Sequence, residues 1–216
     1  GAQVPGQSEG SSRQFVGVQP SGCSLHDSRW IPGYRATLIL GRTKMLAEYG
    51  GSTTTGLRIG IGHDTHRLAD GGPLRLGGIE IAHDRHLLGH SDADVLLHAV
   101  TDALLGAAAQ GDIGQLFPDT DPANRDRDSA EMLQLAYRQV QDAGFRVVNL
   151  DCIVFAEQPK LVPHNLAIRR RIAELLAVTP AEVGLKAKTG EGVGQVGSAQ
   201  VMMAQCVALL QHVHNH

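Results

Sequence analysis

Three side chains able to bind a metal stand at regular offsets in this chain: Asp64, His66 and His98. Asp64 and His66 fall in an alternating segment, Leu57-Arg58-Ile59-Gly60-Ile61-Gly62-His63-Asp64-Thr65-His66. If that segment is a strand, the two are i, i+2 and share one face. His98 sits in a helical pattern whose apolar face is Val95, Leu96, Val100, Leu104 and Leu105. Asp94 and Asp102 lie one turn either side of it, the spacing at which a carboxylate can hold the second nitrogen of a metal-bound imidazole. One oxygen and two nitrogen donors suit zinc with a fourth position open. A solvated polar stripe would explain any one of these residues. The set points to a site, because a second dense acidic turn follows, from Gly111-Asp112-Ile113-Gly114 to Phe117-Pro118-Asp119-Thr120-Asp121-Pro122.

An open zinc site supports two chemistries. It can activate water for hydrolysis, or act as a Lewis acid on phosphate oxygens. His90-Ser91 just before the helix, the glycine loop Thr189-Gly190-Glu191-Gly192-Val193-Gly194 and Lys160 all favour anions. Phosphate is therefore the favoured ligand. A phosphate nucleophile is ionised at neutral pH, so its reaction needs positioning and charge neutralisation more than a base. The glycine loop is not a P-loop, for it lacks the Gly-Lys-Ser/Thr ending.

The elements that must position these groups follow from pattern. Ser91 is the expected N-cap of the His98 helix, with Asp94 as its capping-box partner. Short strands are expected at 74–76 and 79–81, with His83 and His86 in the polar loop after them. Ser129 is the expected cap of a second helix reaching Ala143, and Gly144 its stop. A long strand spans Phe145 to Phe155, and a third helix begins near His164 with Arg169, Arg170 and Arg171 as a charged face. Thr179-Pro180 opens a short turn. Gly184 to Lys188 and Ala199 to Leu210 read as strands, and His212, His214 and His216 as a frayed tail.

The chain has 216 residues, a net charge of -3 and only 4% aromatics, so the core is aliphatic and nothing invites nucleic acid. No apolar run is long enough for a membrane span. Cys23, Cys152 and Cys206 form no CxxC and read as reduced thiols. Residues 1–56 are rich in Gly, Ser, Gln and Pro and are expected to be a disordered arm. The ordered domain is expected over 57–210, with 211–216 as a flexible tail. Met45 is the first methionine, and one reading is that natural translation starts there, beside a native or targeting arm. The expected compartment is a bacterial-type cytoplasm. The arginines of the arm leave a plastid transit peptide open, while Glu9, Asp27 and Glu48 count against one.

From about Leu57 to Leu210 the chain resembles the 2-C-methyl-D-erythritol 2,4-cyclodiphosphate synthase family of non-mevalonate isoprenoid synthesis. The motifs are Gly62-His63-Asp64-Thr65-His66, Leu88-Gly89-His90-Ser91-Asp92-Ala93-Asp94, Leu97-His98 and Leu104-Leu105-Gly106. They continue with the two acidic turns, Gln158-Pro159-Lys160 and Lys186-Ala187-Lys188-Thr189. The resemblance implies an α/β (α+β type) single domain, with a mixed sheet on one side and helices on the other, assembled as a homotrimer. Neighbouring subunits would share each active site. It implies a reaction in which the 2-phosphate of 4-diphosphocytidyl-2-C-methyl-D-erythritol 2-phosphate attacks the β-phosphate and expels CMP.

The same resemblance makes Asp64, His66 and His98 zinc ligands and Glu191 the holder of Mg2+ or Mn2+ on the diphosphate. His90 and Thr189 would stabilise the transition state. Asp64, Thr65, His66, His90 and Ser91 would touch substrate. Asp112, Ile113, Gly114, Phe117, Pro118, Asp119, Thr120 and Asp121 would wall the methylerythritol. Ala156, Glu157, Gln158, Pro159, Lys160, Leu161 and Val162, with Lys188, Thr189, Gly190 and Glu191, would line the cytidine pocket. Two readings from the residues stand beside it: a zinc-dependent phosphohydrolase and a non-enzymatic nucleotide-binding module. Gln195, Ser198 and Gln205 replace an aromatic, an arginine and a glutamate that many relatives turn toward the trimer axis. The axial cavity is therefore not expected to bind prenyl diphosphates.

Overall fold

Alternation carries the first strand further than its apolar residues do. In the computed structural model, which describes residues 56–213, β1 runs Leu57–Asp70. Gly60, Gly62, Asp64, His66 and Leu68 turn to its inner face, while Ile59 and Ile61 turn outward, as the period of two demands. The expected N-terminal arm, with Cys23 and Met45, lies outside the described residues, as do His214 and His216.

A two-stranded hairpin follows, β2 (Leu74–Leu76) and β3 (Ile79–Ile81). Its two-residue turn is Gly77-Gly78, at φ of 65° and 74°, conformations that suit glycine at both positions. Arg85–Leu88 then forms β4, antiparallel to the end of β1. This corrects the loop expected around His86, whereas His83 does lie in the connecting loop. Four residues show no period of their own; the ladder from Arg67–Asp70 supplies the order.

The long helix, α1, spans Val95–Ala107 and is buried almost all round. Its N-cap is Asp94, not Ser91: the Asp94 carboxylate accepts the Leu97 N–H at 3.0 Å. Asp94 prevails because the same carboxylate also accepts the N–H groups of Gly77 at 2.9 Å and Gly78 at 2.7 Å. One buried side chain thus starts the helix and pins the hairpin turn against it.

After α1 come a short helix, α2 (Ile113–Leu116), and α3 (Ser129–Asp142). Asp128 caps α3, accepting from Ala130 at 2.8 Å, so Ser129 is the first helical residue rather than the cap. Strand β5 is Phe145–Phe155, as its composition predicts. Helix α4 (Asn165–Leu175) crosses to β6 (Val183–Lys188), which pairs parallel with β5. Arg169 is more than a charged face. It donates to the carbonyls of Val183 at 2.7 Å and Pro180 at 2.6 Å, tying α4 to the start of β6. In the turn between them the Thr179 N–H donates to Glu182 at 2.7 Å. A short helix, α5 (Gly194–Gly197), leads into β7 (Val201–His212), which ends two residues beyond the expected Leu210. There His212 packs edge-on to Phe145, with ring centroids 5.1 Å apart.

The main sheet has five strands in the order β4-β1-β7-β5-β6, antiparallel except for β5 and β6. It is the expected mixed sheet with helices packed on it. The core is aliphatic. Leu96, Leu97, Leu104, Leu105, Leu133, Leu150, Ile168 and Ile172 are fully buried, and each such side chain contributes about 1.5–3 kcal/mol by leaving water. Cys152 and Cys206 face each other across β5 and β7 as buried free thiols.

Candidate metal centre and phosphate pocket

The strand β1 and the helix α1 meet unusually closely, and glycine permits it. A Cβ placed on Gly60 or Gly62 would fall well under 3.0 Å from the carbonyl oxygens of Ala103 and Ala99. With hydrogen there instead, α1 rests on the strand backbone. His98, beside Ala99, comes within reach of the inner-face residues that follow Gly62, namely Asp64 and His66.

The three expected ligands converge. His66 Nε2 lies 2.9 Å from Asp64 Oδ2, His98 Nδ1 lies 2.9 Å from the same oxygen, and the two nitrogens are 3.2 Å apart. One donor atom from each residue lies within 4.8 Å of the others. The imidazoles meet edge to face, with centroids 5.3 Å apart. Asp64 Oδ1 accepts the Thr65 N–H at 2.7 Å, which turns Oδ2 toward the histidines. His66 Nδ1 lies 2.8 Å from the Leu88 carbonyl. A carbonyl can only accept, so Nδ1 carries the proton of the neutral ring, and Nε2, facing Asp64, is the nitrogen that can exchange a proton for a cation.

The electrostatics agree. Burial would raise the Asp64 carboxyl, but hydrogen bonds to His66 and His98 outweigh it and hold it below the usual carboxylate range. Burial likewise works against an imidazolium at His66, yet the hydrogen bond and charge of Asp64 raise it above 6.5. Two imidazoles and an ionised carboxylate around one small volume are a donor set that could hold a divalent metal ion. Among the described residues this is the one such cluster.

His98's second nitrogen departs from expectation. It meets neither Asp94, which is buried under the hairpin, nor Asp102. The Asp102 carboxylate accepts the Ile113 N–H at 2.8 Å, and burial raises it above the ordinary range. His98 Nε2 instead lies 2.9 Å from Ser129 Oγ and 3.1 Å from Ser91 Oγ. Sequence reasoning treats Ser129 only as a cap, because its position 31 residues from His98 carries no local signal.

The cluster forms one wall of a cavity of about 220 Å³, which His90, Ser91, Ile113, Gly114, Phe117 and Asp119 also line. Ile113, Gly114, Phe117 and Asp119, half of the expected methylerythritol wall, thus line the same cavity as the cluster, joined by Asn124 and Met132, which the motifs do not mark. Asp112 supports the cavity from behind by capping α2, accepting from Gln115 at 2.8 Å, and Asp121 accepts from Ala123 at 3.0 Å. Thr65, Pro118 and Thr120 are not among the lining residues. The loop Asp126-Arg127 clamps the His90 segment through Asp126 N–H to His90 O at 2.9 Å and Asp92 N–H to Arg127 O at 3.1 Å. His90 Nε2 is buried with no hydrogen-bond partner in the described chain, a polar atom left for a ligand at the cavity.

The expected cytidine residues assemble elsewhere. Ala156 N–H donates to Lys188 O at 2.9 Å, and Gly190 N–H to Glu157 at 3.1 Å, so the two segments form one cluster beyond β5 and β6. Thr189 Oγ1 donates to Glu191 at 2.8 Å. Glu191 holds a φ of 50°, a left-handed backbone that costs a residue with a Cβ about 1–2 kcal/mol. Asp64, Ala204, Val154 and Ala187 occupy one row across β1, β7, β5 and β6. Three strand spacings of about 4.8 Å therefore part the metal ligands from the Thr189 loop's strand within one chain.

Residues 57–211 match the YgbB family. A protein of Rhodopirellula baltica named 2-C-methyl-D-erythritol 2,4-cyclodiphosphate synthase is 53% identical over 153 residues, covering 71% of this chain and 92% of that one. The solved bifunctional IspDF from Campylobacter jejuni has a TM-score of 0.70 at 38% identity, covering 72% of this chain and 42% of that longer one. A solved 2C-methyl-D-erythritol-2,4-cyclodiphosphate synthase in its CDP-bound form has a TM-score of 0.67 at 40% identity, covering 71% of this chain and all 100% of that one.

Proposed function

The chain belongs to the YgbB family, and from that premise we propose that it is a CMP-releasing cyclodiphosphate synthase. It converts 4-diphosphocytidyl-2-C-methyl-D-erythritol 2-phosphate to 2-C-methyl-D-erythritol 2,4-cyclodiphosphate, a step of non-mevalonate isoprenoid precursor synthesis. The observation that carries this reading is the Asp64, His66 and His98 cluster walling a cavity, in a chain 53% identical to a protein named as that synthase.

Asp64, His66 and His98 would hold zinc, and Glu191 would hold Mg2+ or Mn2+ on the diphosphate. Such cations supply Lewis-acid neutralisation of phosphate oxygens. His90, with its buried and unpartnered Nε2, and Ser91 grip the phosphate of the methylerythritol. The Asp112 to Gly114 and Phe117 to Asp121 segments enclose the sugar-like chain. Thr189, fixed against Glu191, stabilises charge on the diphosphate. The cluster of 156–162 with 188–191 receives cytidine; that a similar synthase is solved in a CDP-bound form supports a cytidine nucleotide as ligand. No general base is needed, because the attacking phosphate is already an anion.

The two halves of this machinery lie three strands apart, so one chain does not close the site by itself. A homotrimer, with each site completed by a neighbour, resolves that. Ile59 and Ile61, 73% and 70% exposed, and Val207 beside Ile61 offer the apolar outer face such an assembly buries. Gln205, two residues before Val207 on that face, is itself uncharged. No helix among the described residues is long and apolar enough to cross a membrane. A bacterial-type cytoplasm fits the free thiols of Cys152 and Cys206.

Incubation with the cytidine diphosphate substrate tests the reading. Cyclic product with CMP in equal amounts is expected. Release of inorganic phosphate would show a phosphohydrolase instead, and unchanged substrate a binding module.

A further inference from the structure

Ser129 is fully buried and has a single proton to donate. Its Oγ makes a short hydrogen bond to Asp92 Oδ1, and a carboxylate can only accept. Asp92 is aimed for this role. Its Oδ2 also accepts the Ser129 backbone N–H at 3.2 Å, and its Oδ1 accepts the Asp94 N–H at 3.3 Å. The Arg75 guanidinium stands 4.0 Å from Oδ2. With the hydroxyl proton directed at Asp92, Ser129 Oγ can meet His98 Nε2, 2.9 Å away, only as an acceptor. Nε2 must then carry the proton of the neutral ring, and the other nitrogen, Nδ1, faces Asp64 Oδ2 at 2.9 Å, where a metal would take the place of a shared proton. Ser91 Oγ, at 3.1 Å, does not decide the matter, because its hydroxyl remains free to turn.

We propose that Asp92 and Ser129 are positioning residues that lock His98 with its proton on Nε2, so that Nδ1 is the nitrogen offered to a metal. The inference rests on the metal reading of Asp64, His66 and His98 given above. It makes the two histidines complementary: the Leu88 carbonyl fixes the proton of His66 on Nδ1, and the Asp92–Ser129 pair fixes that of His98 on Nε2. The free lone pairs, His66 Nε2 and His98 Nδ1, are the two atoms that lie 3.2 Å apart beside Asp64. Because Asp92 holds both the backbone and the hydroxyl of Ser129, the lock also couples the start of α3 to the metal site.

The test is zinc affinity of the full-length protein by competition with a chromogenic chelator, for the native chain and for Ser129→Ala, Asp92→Ala and Ser129→Thr. Loss of an outer partner of a metal-bound imidazole weakens binding about 10–100-fold. Ser129→Ala and Asp92→Ala are expected in that range, with Ser129→Thr, which keeps the hydroxyl, within about threefold of native. The visible spectrum of the cobalt-loaded Ser129→Ala variant is expected to shift, which a merely structural role would not produce. Unchanged affinity and an unchanged cobalt spectrum in Ser129→Ala would overturn the lock while leaving the metal site standing. A native chain that takes up no zinc would overturn the metal reading itself and the lock with it. If the alanine variants do not fold, histidine-selective nitrogen NMR of the zinc-loaded native chain decides. Coordination of His98 through Nδ1 supports the lock, and coordination through Nε2 overturns it.

Discussion

Gly62 of β1 lies so close beneath Ala99 of α1 that a Cβ on the glycine would fall well under 3.0 Å from the Ala99 carbonyl oxygen. Neither partner of this contact is a flexible side-chain tip, so nothing can swing aside. Asp64 and His98, two residues past Gly62 and one before Ala99, inherit their separation from it. Gly62→Ala is expected to lift α1 from the strand, destabilise the fold by about 1–3 kcal/mol or more and scatter the ligands. Thermal melting and zinc content of the variant check this. Native melting with one zinc per chain would show that the contact does not set the site.

His98→Ala removes a ligand carried by a helix whose other packing is intact. Zinc occupancy is expected to collapse and activity with it, while far-ultraviolet dichroism stays native. Metal analysis of the purified variant is the measurement, and full occupancy would count against this ligand.

The metal site also predicts a pH dependence. In the metal-free protein the His66–Asp64 pair raises His66 above 6.5, against the effect of burial. Its stabilising contribution is therefore fully present below 6.5 and is lost as pH rises through the raised value. Zinc needs the same imidazole without its proton. Apparent zinc affinity should fall as pH drops through that region, with proton release on binding. Chelator competition in buffers on both sides of 6.5 reads it; a flat profile would contradict the assignment.

Glu191 sits in the second cluster, far along the sheet from the candidate metal ligands. Glu191→Gln is expected to leave zinc bound and to weaken the activation of turnover by added magnesium. Zinc lost from this variant would mean the two metals are wrongly placed.

Ile61 is 70% exposed on the outer face of β1, opposite Val207. A lysine there would bury charge in any assembly that covers this face. If the proposed trimer forms, Ile61→Lys is expected to shift it to monomer in sedimentation and to abolish turnover, because the metal half and the nucleotide half of each proposed site would then come apart. A fully active monomer would refute the shared site.

The three residues of the candidate metal site were legible without coordinates. A period of two in β1 places Asp64 and His66 on one face, and β5 likewise follows from its run of Phe, Val, Leu and Ile. These are properties of backbone geometry acting between near neighbours, so the sequence alone determines them. Tertiary structure decided which donor meets which acceptor. Ser91 and Asp94 are both good caps by type. Asp94 takes the helix because the hairpin turn at Gly77-Gly78 brings two further N–H groups to it. Asp94 and Asp102 stand at the right spacing to hold His98. Yet its outer nitrogen is taken by Ser129, 31 residues away, because α3 packs its buried first turn against that ring. Nor does any local pattern say that the Thr189 loop lies three strands from Asp64, since strand order is fixed by which apolar faces find one another. Hydrogen bonds act over about 3 Å, and only the packed chain brings groups so distant in sequence within that range.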